Sequence, residues 1–433
     1  MPNELKTQAL TLAAAVDLAL CHNAQLRETW MSIKVQAAAV GQARAAYLPT
    51  LTLSGSRLRD RTSYPGTNNA SSTLTNNTVY ASVGWRLFDF GGRDATRRMA
   101  NDQLQAALAT YDATLQKTLS DVIGAFFDAQ TAKALQQAKQ RNEDLARHSL
   151  ETARRREASG AGSQTDVLQA ATAVAKAALE KSRAEGAHER AVSVLVYSLG
   201  MPAHTPIDLA EDAEDPSEGL HQDLDAWLEQ AQTQHPAIAA ARAQLEAARE
   251  NVVAVRSEGL PSLDFSGNYY QNGRPNQGLS AINTHETMVG VTLNIPLFEG
   301  FARTYKVRGA QAQVDRQEAA LQDTEQQILM EVVKAHADAV SALANLDTSQ
   351  TLLGAATLAS ESVQRRFDKG ATDILEVLST QTALSDAQQE RIRCLAEWRS
   401  ARLRLMASAG VLGLTDIKAT ADVGFSKAAR QRR

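Results

Sequence analysis

The stretch TVYASVGWRLFDFGGR, residues 78–93, decides how this chain folds. Its first part alternates. Val79, Ala81, Val83, Trp85 and Leu87 fall on one face and Tyr80, Ser82, Gly84 and Arg86 on the other, the period-two pattern of a strand with one apolar side. Its second part, Phe88 to Gly92, carries the paired glycines Gly91 and Gly92 that let a chain bend sharply out of a sheet. From Arg93 to about Ala158 no proline follows, and Leu104, Leu108, Tyr111, Leu115, Leu119, Val122 and Phe126 recur in helical steps of three and four. At 1.5 Å of rise per residue that helix is roughly 100 Å long, a rod that no compact domain of this size needs. Successive steps of four, as at Tyr111, Leu115 and Leu119, locally unwind a left-handed supercoil and straighten the helix.

The same design occurs twice. LFDFGGR from Leu87 returns as LFEGFAR from Leu297, 210 residues on. That offset also takes Arg155-Arg156 to Arg365-Arg366, Gly160 to Gly370, Asp166-Val167-Leu168 to Glu376-Val377-Leu378, and Leu199-Gly200 to Ala409-Gly410. Upstream the offset is 212, with Asn23-Ala24 against His235-Pro236 and Leu48-Pro49 against Leu260-Pro261. The length difference therefore falls between Pro49 and Leu87, in a polar stretch of the kind that tolerates insertion at a surface.

The repeat predicts two tandem units. Residues 10–210 read as helix, strand 48–58, loop 59–77, strand 78–88, long helix 93–158, tip turn 159–166 and a return helix to 200. Residues 220–410 read as helix, strand 261–270, loop 271–285, strand 286–298, long helix 303–369, tip turn 369–376 and a return helix to 409, leaving 411–433 as a flexible tail with the basic end SKAARQRR. In the second long helix Val314, Leu321, Ile328, Val332, Ala335, Ala339, Leu346 and Leu353 form one seam. The fold class is thus mainly α with a membrane β portion. Segments of about ten alternating residues joined by polar loops are the signature of a transmembrane barrel wall. Four strands cannot close a barrel, and open edges are not tolerated in hydrocarbon, so copies of the chain must share one; two copies or three both satisfy that requirement.

Composition excludes other classes. A net charge of -4 with both signs dispersed gives no basic stripe for nucleic acid. No apolar run is long enough for a membrane-spanning helix. Cys21 and Cys394 are too few for a disulfide framework or thiolate metal site and read as helix-packing residues. Lys6 and the apolar stretch Ala9 to Leu20 before Cys21 superficially resemble a lipoprotein signal, but Asp17 interrupts the stretch and Leu20 stands where a small residue is required, so a helix is expected and a cleaved signal is expected to precede this numbering. No HExxH, phosphate loop or G-x-S-x-G elbow occurs and the eight histidines are scattered; no catalytic, cofactor or metal residues are assigned.

In its order of helix, strand, loop, strand, LFDFGGR, long helix, Arg-Arg-x-x-x-x-Gly and Asp-Val-Leu, repeated with variation, the chain resembles the TolC family of outer-membrane channel proteins over about residues 10 to 410. The resemblance implies a homotrimer: a twelve-stranded barrel in outer-membrane lipid, four strands per chain, continuous with a helical tunnel through the periplasm. It also implies a periplasmic adaptor and an inner-membrane transporter of ABC or RND type. The opening VDLALCHNAQLRETW is most similar to members serving type I secretion of large proteins, such as cyclolysin-type exporters, with multidrug efflux as the alternative.

By the same resemblance, Ser159, Gly160 and Ala161 with Lys369, Gly370 and Ala371 are the adaptor contacts at the tip. Glu376 matches an acidic ring position; the next ring position is Ser379, for which Asp373 could compensate. Asp166 matches a gate acceptor, whereas Phe367 stands where the family has a tyrosine and Thr372 where it has an arginine, which departs from the family's closed-state lock. Arg154, Arg155, Arg156, Arg365 and Arg366 read as solvated ion pairs along the tunnel wall. Phe88, Gly91, Gly92, Phe298 and Gly300 mark the strand-to-helix corners. The rival classes are a soluble scaffold of tandem helical hairpins and a periplasmic adaptor. The first leaves the alternating strands unexplained, and the second lacks its flanking all-β segment.

Overall fold

The computed structural model describes residues 9–63, 71–210, 220, 222–275 and 283–413. The first half contains α1 (Leu12–His22), α2 (Ala24–Ala45), β1 (Thr50–Ser63), β2 (Ser71–Phe88), α3 (Gly92–Ala158) and α4 (Gln164–Ser198). The second contains α5 (Leu224–Gln234), α6 (Pro236–Ser257), β3 (Ser262–Gln271), β4 (His285–Asn294), α7 (Ala302–Asp368) and α8 (Ile374–Ser408). The long helices α3 and α7 have 67 residues each, and the return helices α4 and α8 have 35 each.

Four boundaries differ from expectation, the first being the tip turns 159–166 and 369–376, which end early because Ser163 and Asp373 already cap α4 and α8. One helix was expected before each strand pair, and two are present. Asn23 leaves the helix with ψ of 123° and its Oδ1 accepts from the backbone N–H groups of Gln25 and Leu26, so it caps a new helix. In the second half Pro236 opens α6 at the first helical position, where its missing N–H costs nothing, and forces His235 out of helical geometry. The expected loop 59–77 is strand at both ends, reaching Ser63 on one side and starting at Ser71 on the other; 64–70 lie outside the described residues. The expected strand 286–298 stops at Asn294, because Pro296 has no N–H to donate to a ladder. Residues 276–282 of the second expected loop and 414–433 of the expected tail also lie outside the described residues.

The chain divides into two compact units. One comprises Met31–Ala109 and Ala239–Asp323 and holds the sheet. Its strands run in the order β1-β2-β3-β4, every neighbour antiparallel, with Leu53↔Ala81, Ala81↔Tyr269 and Tyr269↔Thr287 in one row.

The other unit comprises the described parts of Met1–Trp30, Thr110–Ile238 and Thr324–Arg433 and is helical. Its main core joins Val16 and Ala19 of α1, Val122, Ile123, Phe126 and Phe127 of α3, Leu195 of α4 and Leu403 of α8. A second core packs Trp227 of α5 against Val332, Ala339 and Leu346 of α7 and Cys394 and Trp398 of α8. Cys394 packs as expected, but Cys21 is exposed on α1, because its position falls opposite the buried stripe Leu12, Val16 and Ala19. Between α3 and the return helices, Lys139 pairs with Glu180 at 2.7 Å and Gln381 Nε2 donates to Ser149 Oγ at 3.2 Å within a buried site.

Helix α8 ends in a left-handed glycine turn. Gly410 has φ of +76°, its N–H donates to Ala407 O, and Val411 N–H reaches back to Met406 O, which satisfies the last carbonyls. A Cβ at Gly410 would lie 2.8 Å from Pro236 Cδ and 3.0 Å from the ring of His235. Burial keeps the His235 pKa below its ordinary value, and its Nδ1 accepts from Ala237 N–H. Gly410→Ala thus meets both left-handed strain and a clash with a buried ring. It is expected to destabilise the helical unit by about 1–3 kcal/mol, measured as a lower midpoint in denaturant monitored at the helical circular dichroism band.

Candidate functional site

The sheet has two chemically opposite faces, and the register assigns every side chain to one of them. On one face lie Leu51 and Leu53 of β1, Val79, Ala81, Val83 and Trp85 of β2, Leu263, Phe265 and Tyr269 of β3, and Val289, Val291 and Leu293 of β4. Nothing among the described residues covers it: Leu51 is 74% exposed, Leu53 77% and Val289 68%. The opposite face is polar. Thr52 hydrogen-bonds Ser82, Arg86 pairs with Asp264 at 2.9 Å, and Arg274 Nε donates to Glu286 at 2.9 Å. An exposed apolar face on one side and a hydrogen-bonded polar face on the other fit a wall between hydrocarbon and water. Each sheet edge is open among the described residues, since β1 pairs only with β2 and β4 only with β3.

The corners between sheet and long helices explain LFDFGGR and LFEGFAR. Phe90 and Gly91 have φ of +51° and +88°, and Gly300 and Phe301 have +60° and +64°, so both corners use two consecutive left-handed residues. The next arginine anchors the turn. Arg93 donates through Nε to Asp89, through Nη1 to Arg86 O at 2.7 Å and through Nη2 to Leu87 O, and it stacks over the Tyr47 ring at 4.9 Å. Arg303 repeats part of this, near Glu299 at 3.9 Å and donating to Pro296 O. Gly92 is needed for packing, since a Cβ there would approach Ser257 Oγ to 2.3 Å. The predicted corner residues Phe88, Gly91, Gly92, Phe298 and Gly300 all sit here, and Phe88 packs on Phe90 as Phe298 does on Phe301. These four rings are at least half exposed.

Past this corner the helices carry their own charge pairs. Asp94 accepts from Arg97, which lowers its pKa, and Arg98 pairs with Glu250 at 2.9 Å. Asp102 is pushed upward by burial and then by the carboxylates of Glu250 and Glu246.

At the far ends of α3 and α7 the predicted tip residues form two matching turns. Gly160 and Gly370 have φ of +74° and +73°; Ala161 N–H donates to Arg156 O and Ala371 N–H to Arg366 O, closing each helix with the same reversal. Ser159, Gly160, Ala161, Lys369, Gly370 and Ala371 are all exposed. The helix starts then diverge. Ser163 and Asp166 form a capping box, Asp166 accepting from Ser163 N–H at 3.0 Å and Ser163 Oγ from Asp166 N–H. Asp373 caps α8 by accepting from Glu376 N–H at 3.0 Å, leaving the Glu376 carboxylate to accept from Thr372 Oγ1 and from Arg366 Nη1 at 3.2 Å.

Phe367 is buried with Val363, Ile374 and Val377. Arg156 lies over its ring at 4.6 Å and donates to its carbonyl at 3.2 Å, so a cation from the first hairpin sits on the C-terminal end of α7. Sequence reading did not find this clasp, because its partners are 211 positions apart. Nor did it find the Arg366 to Glu376 pair. Both arginines had read as wall charges; Arg365 does remain one, pairing with Glu361 at 3.7 Å.

The model of the outer membrane efflux protein family matches the chain twice, over residues 15–201 and 227–411. Protein CyaE of Bordetella pertussis is 38% identical over 408 residues, covering 94% of this chain and 85% of that protein. The alkaline protease secretion protein AprF of Pseudomonas aeruginosa is 24% identical, covering 87% of this chain and 80% of its own length. The crystal structure of the Campylobacter jejuni CmeC outer membrane channel superimposes with a TM-score of 0.82 at 18% identity, covering 95% of this chain and 89% of that one. With its doubled family match and the fold of an outer-membrane channel, the chain belongs to the outer membrane efflux protein family.

Proposed function

We propose that three copies of this chain close into a passive duct through the outer membrane and periplasm that carries proteins exported by a type I secretion system. The observation behind this reading is the open sheet with one bare apolar face and one polar face. Three copies supply twelve strands, enough for a water-filled lumen, whereas two would give eight and a filled interior. Joining β4 of one copy to β1 of the next satisfies both edges at once. The helices carry matching exposed stripes: Leu168, Leu179, Val194 and Tyr197 on α4, and Met330, Val333, Val340 and Leu358 on α7, which a second copy covers.

The protein cargo is supported by the 38% identity to CyaE and by the secretion role in AprF's name. Small-molecule efflux is the second reading, favoured by the description of the family itself. In either case the chain has no catalytic role, and an inner-membrane transporter of ABC or RND type supplies the energy. A periplasmic adaptor meets the tip at Ser159, Gly160, Ala161, Lys369, Gly370 and Ala371. Asp166, Phe367, Asp373 and Glu376 form the gate. Asp166 and Asp373 hold the helix starts, Phe367 holds the two hairpins together, and Glu376 in three copies attracts cations to the axial opening while Arg366 offsets part of its charge.

Planar-bilayer recording of purified protein, with its mass determined in the same detergent, tests the duct. Trimer-dependent discrete conductance is the expected result, and a soluble monomer without conductance would remove the reading. In the same assay Glu376→Gln is expected to lower cation selectivity and Arg366→Gln to raise it; unchanged reversal potentials in both would take Glu376 out of the gate.

A separate expectation concerns the clasp. Arg156→Ala removes a cation–π contact and a carbonyl partner worth together about 1 kcal/mol. Amide exchange at 367–373 should then accelerate about fivefold, with the strands unaffected; equal exchange in both proteins would mean that Arg156 does not hold the tip.

A further inference from the structure

The two-residue period of β1 continues past the apolar band, and its chemistry changes abruptly there. Leu51, Leu53 and Gly55 are followed on the same face by Arg57, Arg59 and Arg61, all exposed. Their direct neighbours on β2 are Asn77, Thr75 and Thr73, which carry no charge. The last pair joining β2 to β3 is Val79↔Gln271, level with Gly55, so from Ser56↔Thr78 onward the β1–β2 hairpin runs on as a two-stranded ribbon among the described residues. The sheet's carboxylates lie elsewhere: Asp60, Asp264 and Glu286 all fall on the polar face, and Asp264 and Glu286 are held there by Arg86 and Arg274. The face continuous with the apolar band therefore has three guanidinium groups and, among the described residues, no acid and no ion pair for any of them.

At about 3.3 Å of rise per residue, Arg57 stands roughly 7 Å along the strand beyond Gly55 and Arg61 roughly 20 Å. That range begins at the edge of the hydrocarbon and covers a headgroup layer. The long apolar stems can lie along the band while the charged ends reach outward. Water alone would not require three like charges on one side of a ribbon whose opposite side carries Asp60, and the fork of a guanidinium matches phosphate oxygens in pairs. We propose that Arg57, Arg59 and Arg61 bind the phosphate groups of an anionic lipid headgroup in the outer leaflet, fixing the depth of the hairpin in the membrane. This rests on the orientation of the outer-membrane duct, with the hairpin ends outward.

The test uses the full chain in phosphatidylcholine vesicles containing either phosphorylated lipid A or lipid A from which the phosphates have been removed. Co-extracted lipid is counted by native mass spectrometry, and conductance is recorded from the same vesicles. The wild-type protein is expected to retain the phosphorylated form over the phosphate-free one. Retention should fall about fivefold for each arginine removed in Arg57→Gln, Arg59→Gln and Arg61→Gln, with conductance unchanged. Equal retention of the two lipids by a conducting wild-type protein would overturn the lipid site and leave the duct standing. Tight binding of inorganic phosphate in lipid-free detergent would overturn the assignment to a headgroup. A protein that neither inserts nor conducts would overturn the duct and this proposal with it.

Discussion

Unpaired backbone groups along the outer edges of β1 and β4 set the terms for the rest of the chain. In water an open sheet edge is a liability, and in hydrocarbon each bare N–H or C=O costs several kcal/mol. The face that turns toward hydrocarbon is built from Leu51, Leu53, Val289, Val291 and Leu293, so the edges cannot be left for solvent to satisfy. Strand closure between copies meets this requirement.

A sheet that must close also has to hand its chain over to helices at a fixed point. At both corners two consecutive residues take left-handed geometry, and a phenylalanine occupies one of them each time. Such a conformation is strained for a bulky side chain, by about 1–3 kcal/mol, and persists only where its surroundings hold it. Arg93 does the holding in the first corner: its guanidinium joins the Asp89 carboxylate, two strand carbonyls and the Tyr47 ring. The spacing of acid and arginine in LFDFGGR and LFEGFAR is the sequence trace of that brace.

Elements that repeat or alternate were legible in the sequence. The long helices began within a residue of expectation because LFDFGGR and its counterpart punctuate them, and the apolar face of the sheet followed from alternation alone. Arg59 to Asn77 misled for a physical reason. Beyond the apolar band both faces of a strand are polar, so Arg59, Arg61, Thr73 and Thr75 carry no hydrophobic signal although they continue the ladder. The breaks at Asn23 and His235 were hidden because helical periodicity resumes at once on either side. Long-range contacts were least legible: neither Arg156 nor Phe367 holds local information that names the other.

The two tips show how duplicated segments separate into different roles while keeping one backbone. Both close on a left-handed glycine with the same pair of reaching N–H groups, so the reversal is held in common. The acids differ. In the first tip Asp166 lies in the capping box and its charge is engaged by the Ser163 amide. In the second tip Asp373 takes over the cap, which releases the longer Glu376 to reach Thr372 and Arg366. With serine at the first cap the following acid closes the capping box, and with aspartate at the second the following acid turns to other partners. The division between a tip whose acid is spent on its helix cap and a tip whose acid reaches Thr372 and Arg366 follows from three exchanges, Gly162 against Thr372, Ser163 against Asp373 and Asp166 against Glu376.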